Sequence, residues 1–156
     1  PPDNPSTPQA TYKIENAELK ISKDSHYQLT KQLGIEYGEL FQGVDTIFYH
    51  ENIAWVKINS PKKIQNQAKY FLHPAILDAC LQASIQVLPS DFLEDLESST
   101  FISASIASLQ LMQPISSKCE ELFVHIELIK VNENHRAFYF NMMISDGDKI
   151  LMRLFD

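Results

Sequence analysis

The fold of this chain is decided by the segment His73-Pro74-Ala75-Ile76-Leu77-Asp78-Ala79-Cys80-Leu81-Gln82-Ala83-Ser84-Ile85-Gln86-Val87-Leu88-Pro89. Proline at the first helical position needs no backbone donor, and Pro89 ends the predicted helix about four turns later. Apolar residues occupy almost the whole circumference of this helix. We therefore expect the helix to be buried on most of its sides.

Predicted strands lie on both sides of the helix. Residues 44–49 and 53–58 are rich in β-branched and aromatic residues and form a plausible hairpin. After the helix, strands are predicted at 101–112, 122–131, 137–144 and 150–155, with Asp146-Gly147 as a hairpin turn. Upstream, residues 25–33 predict a short helix that ends at Gly34, and Tyr37-Gly38-Glu39-Leu40-Phe41-Gln42-Gly43 predicts a tight, irregular turn.

This order of elements predicts an α+β chain in which a curved antiparallel sheet wraps around one long apolar helix. That architecture is the hotdog fold. A generic α+β sandwich, with the same helix packed on one open face of the sheet, is the alternative.

The chain has 156 residues, enough for one globular core. Four of its eight prolines fall in the first eight residues, so we interpret residues 1–16 as a flexible linker and 17–156 as the domain. The formal charge of -7 without a basic cluster disfavours nucleic acid as a partner, and no apolar run is long enough to cross a membrane. Two cysteines and no zinc-like spacing favour a reducing, cytoplasmic setting without structural metal.

Asp78 is the chemically unusual residue of the helix. A carboxylate among apolar residues costs several kcal/mol unless it is hydrogen-bonded or protonated. If desolvation keeps it neutral, Asp78 can donate a proton to a leaving oxygen, and Gln82, one turn along, can orient it. The alternative is that Asp78 and Gln82 only mark a solvent-facing edge of the helix or cap backbone groups.

Two motifs resemble those of dehydratase domains in modular polyketide synthases. The segment that runs from His73 to Gln82 is similar to their HPALLDAxxQ segment, and Tyr37 to Gly43 is similar to their YGPxFQG segment. Residues 101–106 resemble the strand that follows the helix in that family. The resemblance covers about residues 17–156, with Glu39 and Ser103 in place of two expected prolines.

The resemblance implies a double hotdog that removes water from a β-hydroxyacyl thioester. The substrate is carried on the phosphopantetheine arm of an acyl carrier protein, and no cofactor is bound. Asp78 and Gln82 match the catalytic pair of the second half of the family. The histidine base, in an HxxxGxxxxP motif, belongs to the first half, and none of the five histidines here has a glycine four residues later.

Three further residues are candidates for substrate binding. The resemblance places Tyr37 and Phe41 beside the acyl tunnel, with plain core packing as the alternative. His73 lies five residues before Asp78. It is a candidate for contact with the substrate or for the base, and the alternative is that it only begins the helix and forms local hydrogen bonds.

The leading hypothesis is therefore the C-terminal hotdog of a polyketide synthase dehydratase, which performs a syn elimination once an N-terminal hotdog supplies the histidine. The alternative is a noncatalytic dehydratase-like module that scaffolds other polyketide synthase domains or docks a carrier protein. A third hypothesis is a homodimer, because a lone hotdog leaves a strand edge unpaired.

Overall fold

The computed structural model describes residues 19–60, 64, 69–89, 91–92, 103, 105–116, 119–135 and 137–155. The proposed linker at 1–16 lies outside these residues. The chain order is β1 (Leu19–Ser22), α1 (Lys23–Gln32), β2 (Val44–His50), β3 (Ile53–Asn59), α2 (Pro74–Gln82), β4 (Ser108–Leu111), β5 (Glu121–Asn132), β6 (Ala137–Ser145) and β7 (Ile150–Phe155). No helix within these ranges is long and apolar enough to cross a membrane.

The seven strands form one antiparallel sheet in the order β1-β2-β3-β5-β6-β7-β4. The predicted hairpin of β2 and β3 is confirmed, and the strand β1 that precedes α1 was not predicted. Leu122, Val124 and Ile126 of β5 are buried, as their alternation predicts. In the turn between β6 and β7, Gly147 adopts a φ of 100°, and the Asp146 carboxylate accepts two backbone N–H bonds. The sequence therefore predicts this half of the sheet well.

The helix α2 lies against the concave face of the sheet, which gives the hotdog architecture. Its buried residues are Ala75, Ile76, Ala79, Cys80 and Gln82. Of these, Ile76, Ala79 and Cys80 belong to the same core as the inward residues of β2, β3 and β5. Alanines at these positions let the backbone of the helix approach the sheet closely.

The expectation that this helix is buried on most sides is confirmed in part. Five of its residues are buried, whereas Leu77, Asp78 and Leu81 are half-buried, and Asp78 and Leu81 border a cavity. The helix is also shorter than predicted, since it changes to a 3-10 helix at Ala83–Val87. The Ser84 hydroxyl donates to the Leu81 carbonyl at 2.7 Å and so competes with the α-helical bonding pattern just before Pro89.

The strand predicted at 101–112 is wrong over much of its length. Only Ser108–Leu111 form β4, and residues 105–107 are not part of a strand. Residues 101, 102 and 104 lie outside the described part of the chain. β4 pairs with β7 at the end of the sheet, and all four of its residues are exposed.

Candidate functional site

Asp78 and Gln82 lie on the face of α2 that meets the turn ending at Phe41. The spacing of four places them one turn apart, and the Gln82 side-chain Nε2 donates a hydrogen bond of 2.6 Å to Asp78 Oδ2. The same Nε2 donates to the Phe41 carbonyl at 3.0 Å. Both N–H groups of the amide are thereby used, while Gln82 Oε1 is buried and has no partner. The amide is fixed with its donors toward Asp78.

The turn from Tyr37 to Gly43 packs against this pair. It forms a short 3-10 helix at Glu39–Phe41, which agrees with the tight, irregular turn predicted from the sequence. Neither Gly38 nor Gly43 has a positive φ, however. A Cβ atom on Gly43 would lie 2.9 Å from the Ala79 Cβ atom, so glycine is needed there for the close approach of the turn to α2.

A cavity of about 630 Å³ borders the Asp78 carboxyl group. Most of its wall is apolar or aromatic and comes from the end of α2 and the 3-10 helix that follows it (Leu81, Ile85 and Leu88), from β6 (Phe138, Phe140 and Met142) and from β7 (Leu154 and Phe155). Thr30, Tyr37, Ser84 and Tyr139, which carry hydroxyl groups, also line it. The site therefore combines the carboxyl group of Asp78 with a mostly apolar pocket, an arrangement suited to an apolar ligand that carries a polar group.

Of the three predicted substrate-binding residues, only Tyr37 lines this cavity. Burial, followed by the nearby negative charge of Asp78, raises the pKa of Tyr37, which keeps its hydroxyl protonated. The Phe41 ring is 39% exposed, and this residue contributes its backbone carbonyl rather than its ring. His73 caps α2, where its Nδ1 accepts a hydrogen bond from the Ala75 N–H at 3.2 Å.

Among the histidine side chains that the structure describes, none lines the cavity. His50 belongs to β2, His73 caps α2, and His125 stands beside Trp55 on the neighbouring strand. His26 is completely buried, and its Nδ1 lies 3.0 Å from Gln86 Nε2. Burial lowers the pKa of His26 to about 4, so this imidazole is neutral near pH 7.

Sequence reasoning missed the contribution of α1 to the site. Tyr27 lies within the helix predicted at 25–33, and its hydroxyl contacts the turn that holds Gln82. Thr30, one turn later, lines the cavity. The spacing of four that revealed Asp78 and Gln82 exists only within one helix, and no pattern in the sequence connects α1 to α2.

The fold is a hotdog, because one sheet wraps around one helix. The carboxyl group of Asp78 at the cavity makes this a candidate acid-base site. The chain belongs to the polyketide synthase dehydratase family. The family model that matches residues 5–154 is described as "Polyketide synthase dehydratase N-terminal domain".

Individual relatives agree with this family. The chain is 39% identical over 90 residues to a naringenin synthase of Pestalotiopsis fici, which covers 57% of the chain and 3% of that protein. It is 24% identical over 159 residues to the highly reducing polyketide synthase virA of Hypocrea virens, which covers 92% of the chain and 7% of that protein. The chain thus spans a small part of these synthases.

The dehydratase domain from the CurK module of curacin polyketide synthase has a similar structure. It superimposes with a TM-score of 0.75 at 25% identity, over 97% of this chain and 51% of that one. The chain therefore spans about half of a dehydratase domain. Two variants of the CurK dehydratase, one with aspartate replaced by asparagine and one with histidine replaced by phenylalanine, are described as inactive.

Proposed function

We propose that this chain is the C-terminal hotdog of a polyketide synthase dehydratase and that Asp78 is its general acid. The matching family model is described as an N-terminal domain, and the C-terminal assignment rests instead on the resemblance of Asp78 and Gln82 to the catalytic pair of the second half. The observation that carries the proposal is the position of Asp78, at the cavity wall and held by the Gln82 amide at 2.6 Å. The inactive asparagine variant of the CurK dehydratase supports an acidic role for an aspartate in this family.

The proposed reaction is the syn elimination of water from a β-hydroxyacyl thioester carried on the phosphopantetheine of an acyl carrier protein. A histidine removes the α-proton, and the electron pair of that C–H bond forms the new double bond. The bond between the β-carbon and its oxygen breaks as Asp78 gives its proton to the departing hydroxyl, which leaves as water. We assign the donated proton to Oδ1, because Asp78 Oδ2 accepts the hydrogen bond from Gln82.

The base is assigned to a second hotdog, which precedes this one or lies on a partner chain. Two observations support this assignment. The described histidine side chains do not reach the cavity, and the chain spans only 51% of the CurK dehydratase domain. The inactive phenylalanine variant of CurK shows that a histidine is needed in that relative.

The test is the complete dehydratase, in which this chain is joined to its other hotdog and given a β-hydroxyacyl carrier-protein thioester. We expect Asp78→Asn to lower kcat at least about 100-fold, because an amide cannot donate a carboxyl proton. Loss of one water from the carrier-bound acyl chain, followed by mass spectrometry, measures the reaction.

Asp148→Asn is the matched control, because Asp148 is exposed in the turn between β6 and β7, away from the cavity. It should keep the wild-type rate. A wild-type rate for Asp78→Asn would refute the assignment of the acid.

The second candidate function is a noncatalytic scaffold or docking module of a polyketide synthase. It is favoured by the lack of a described histidine at the cavity. In that case Asp78→Asn leaves product formation intact, whereas deletion of the domain disrupts assembly of the synthase. Normal assembly after deletion would eliminate this candidate.

The edge strand β4 favours association with another hotdog. It is the last strand of the sheet, and Leu109 and Leu111 expose 42% and 51% of their surface there. An exposed apolar edge is a site for pairing with another chain. Mass measurement during size exclusion tests for a homodimer, and a strict monomer would instead favour a different partner half.

A further inference from the structure

The Tyr27 hydroxyl holds both ends of the segment that contacts Gln82. It accepts a hydrogen bond from the Val44 N–H at 3.0 Å and donates one to the Phe41 carbonyl at 3.3 Å. Val44 is completely buried, so its N–H has no access to water. A single side chain of α1 therefore sets the distance between the end of the 3-10 turn and the start of β2.

The Phe41 carbonyl in turn fixes the orientation of the Gln82 amide. Gln82 Nε2 has two acceptors, the Phe41 carbonyl at 3.0 Å and Asp78 Oδ2 at 2.6 Å. An amide rotated by half a turn would place Oε1 against the Phe41 carbonyl oxygen, which is unfavourable because a carbonyl has no proton to share. With Phe41 in place, only one orientation of Gln82 satisfies the site, and in that orientation it donates to Asp78.

We propose that Tyr27 is a positioning residue for Asp78 and acts through the Phe41 carbonyl and the Gln82 amide. This inference rests on the proposed function, since it names a further residue that the acid requires. The hydroxyl, rather than the ring, carries the role. Phenylalanine would fill the same space against Tyr37, whose ring centroid lies 6.0 Å away, but would leave the Phe41 carbonyl free to shift.

The experiment is Tyr27→Phe in the complete dehydratase. We expect kcat to fall about tenfold with KM changed less than twofold, because the substrate pocket stays intact while the acid is misoriented. Tyr49→Phe, which alters a half-buried tyrosine of β2 away from the cavity, is the matched control and should keep the wild-type kcat. An unchanged kcat for Tyr27→Phe would overturn the inference.

A double-mutant cycle separates positioning from general loosening of the fold. Gln82→Leu removes the group through which Tyr27 is proposed to act. In that background, Tyr27→Phe should lower kcat by less than about twofold further, because residues in one chain of contacts are not additive. A full tenfold additional loss would show that Tyr27 acts by another route and would overturn the inference.

The signals of the Gln82 side-chain amide give a readout that needs no activity. In isotope-labelled protein, Tyr27→Phe should shift both amide proton signals, which Gln82→Leu identifies by their absence. Unshifted signals would overturn the inference. If Asp78→Asn proves active, the proposed acid has failed, and this measurement still decides whether Tyr27 orients Gln82.

Discussion

Two glutamines, one turn apart, hold two ionisable groups in different ways. Gln82 donates to Asp78 at the cavity wall, whereas Gln86 lies 3.0 Å from His26 in a closed part of the core. His26 is completely buried and keeps a neutral ring, while Asp78 is half-buried and borders open space. Two glutamines one turn apart therefore face different surroundings: Gln86 faces the closed core, and Gln82 faces the cavity that the proposed acid borders.

The largest expected effect is the loss of stability at low pH that the buried pair of His26 and Gln86 causes. The pKa of His26 is about 4 in the folded protein and about 6.5 when it is exposed, so the unfolded chain binds the extra proton as the pH falls between these values. The contribution of neutral His26 is complete above about pH 6.5 and decreases below it. At pH 4, we expect a loss of about 3 kcal/mol in the free energy of unfolding.

Urea unfolding between pH 4 and pH 7 measures this loss, with His26→Gln as the comparison. The variant should lack the histidine component, so its free energy of unfolding should change by about 3 kcal/mol less over the same range. Equal pH dependence in the two proteins would show that His26 is accessible to protons in the folded state.

The two glutamines themselves provide the next comparison. Gln86→Leu leaves both ring nitrogens of His26 without a partner, because Nε2 already lacks one, and should cost about 2 kcal/mol of stability. Gln82→Leu removes the two hydrogen bonds that Nε2 donates, but it also removes a buried amide oxygen that has no partner, and Asp78 borders the open cavity. These effects oppose each other, so the stability of this variant should change by less than about 1 kcal/mol.

The two variants should rank in the opposite order in their effect on activity. Gln82→Leu releases Asp78 and should lower the kcat of the complete dehydratase at least about tenfold, while Gln86→Leu should keep kcat per folded molecule. Thermal unfolding and dehydration rates on the same samples check both statements. A loss of kcat in Gln86→Leu without a loss in Gln82→Leu would reverse the assignment of the two pairs.

Sequence patterns predicted the parts of the site that lie within one element. The spacing of Asp78 and Gln82 places both on one face of α2, and the turn motif places Phe41 before β2, because these relations depend only on helix and turn geometry. The wall from Phe138 to Phe140 was not predicted as part of the site. Its residues come from a strand that only the closure of the sheet brings to α2.

Burial was the weaker part of the sequence-based prediction. Apolar residues around α2 predicted burial on most sides, yet Leu81 faces the cavity, because composition does not distinguish a core wall from a pocket wall. The same holds for glycine. Gly38 and Gly43 predicted a tight, irregular turn, and the structure requires glycine at Gly43 for its contact with Ala79 rather than for a positive φ.

These two glycines give the smallest and most local comparison. In Gly43→Ala, the new methyl group would meet the Ala79 Cβ atom at 2.9 Å and the Asn59 carbonyl at 3.4 Å, so the turn must move away from α2. We expect a loss of about 1 kcal/mol in stability and a lower kcat, because Phe41 moves with the turn. A Cβ atom added to Gly38 would have no neighbour within 4 Å, and the φ of this residue is an ordinary −71°. Gly38→Ala should therefore change the free energy of unfolding by less than about 0.5 kcal/mol. Equal losses of stability in the two variants, measured by thermal unfolding, would show that the turn does not pack closely against the helix that carries Asp78.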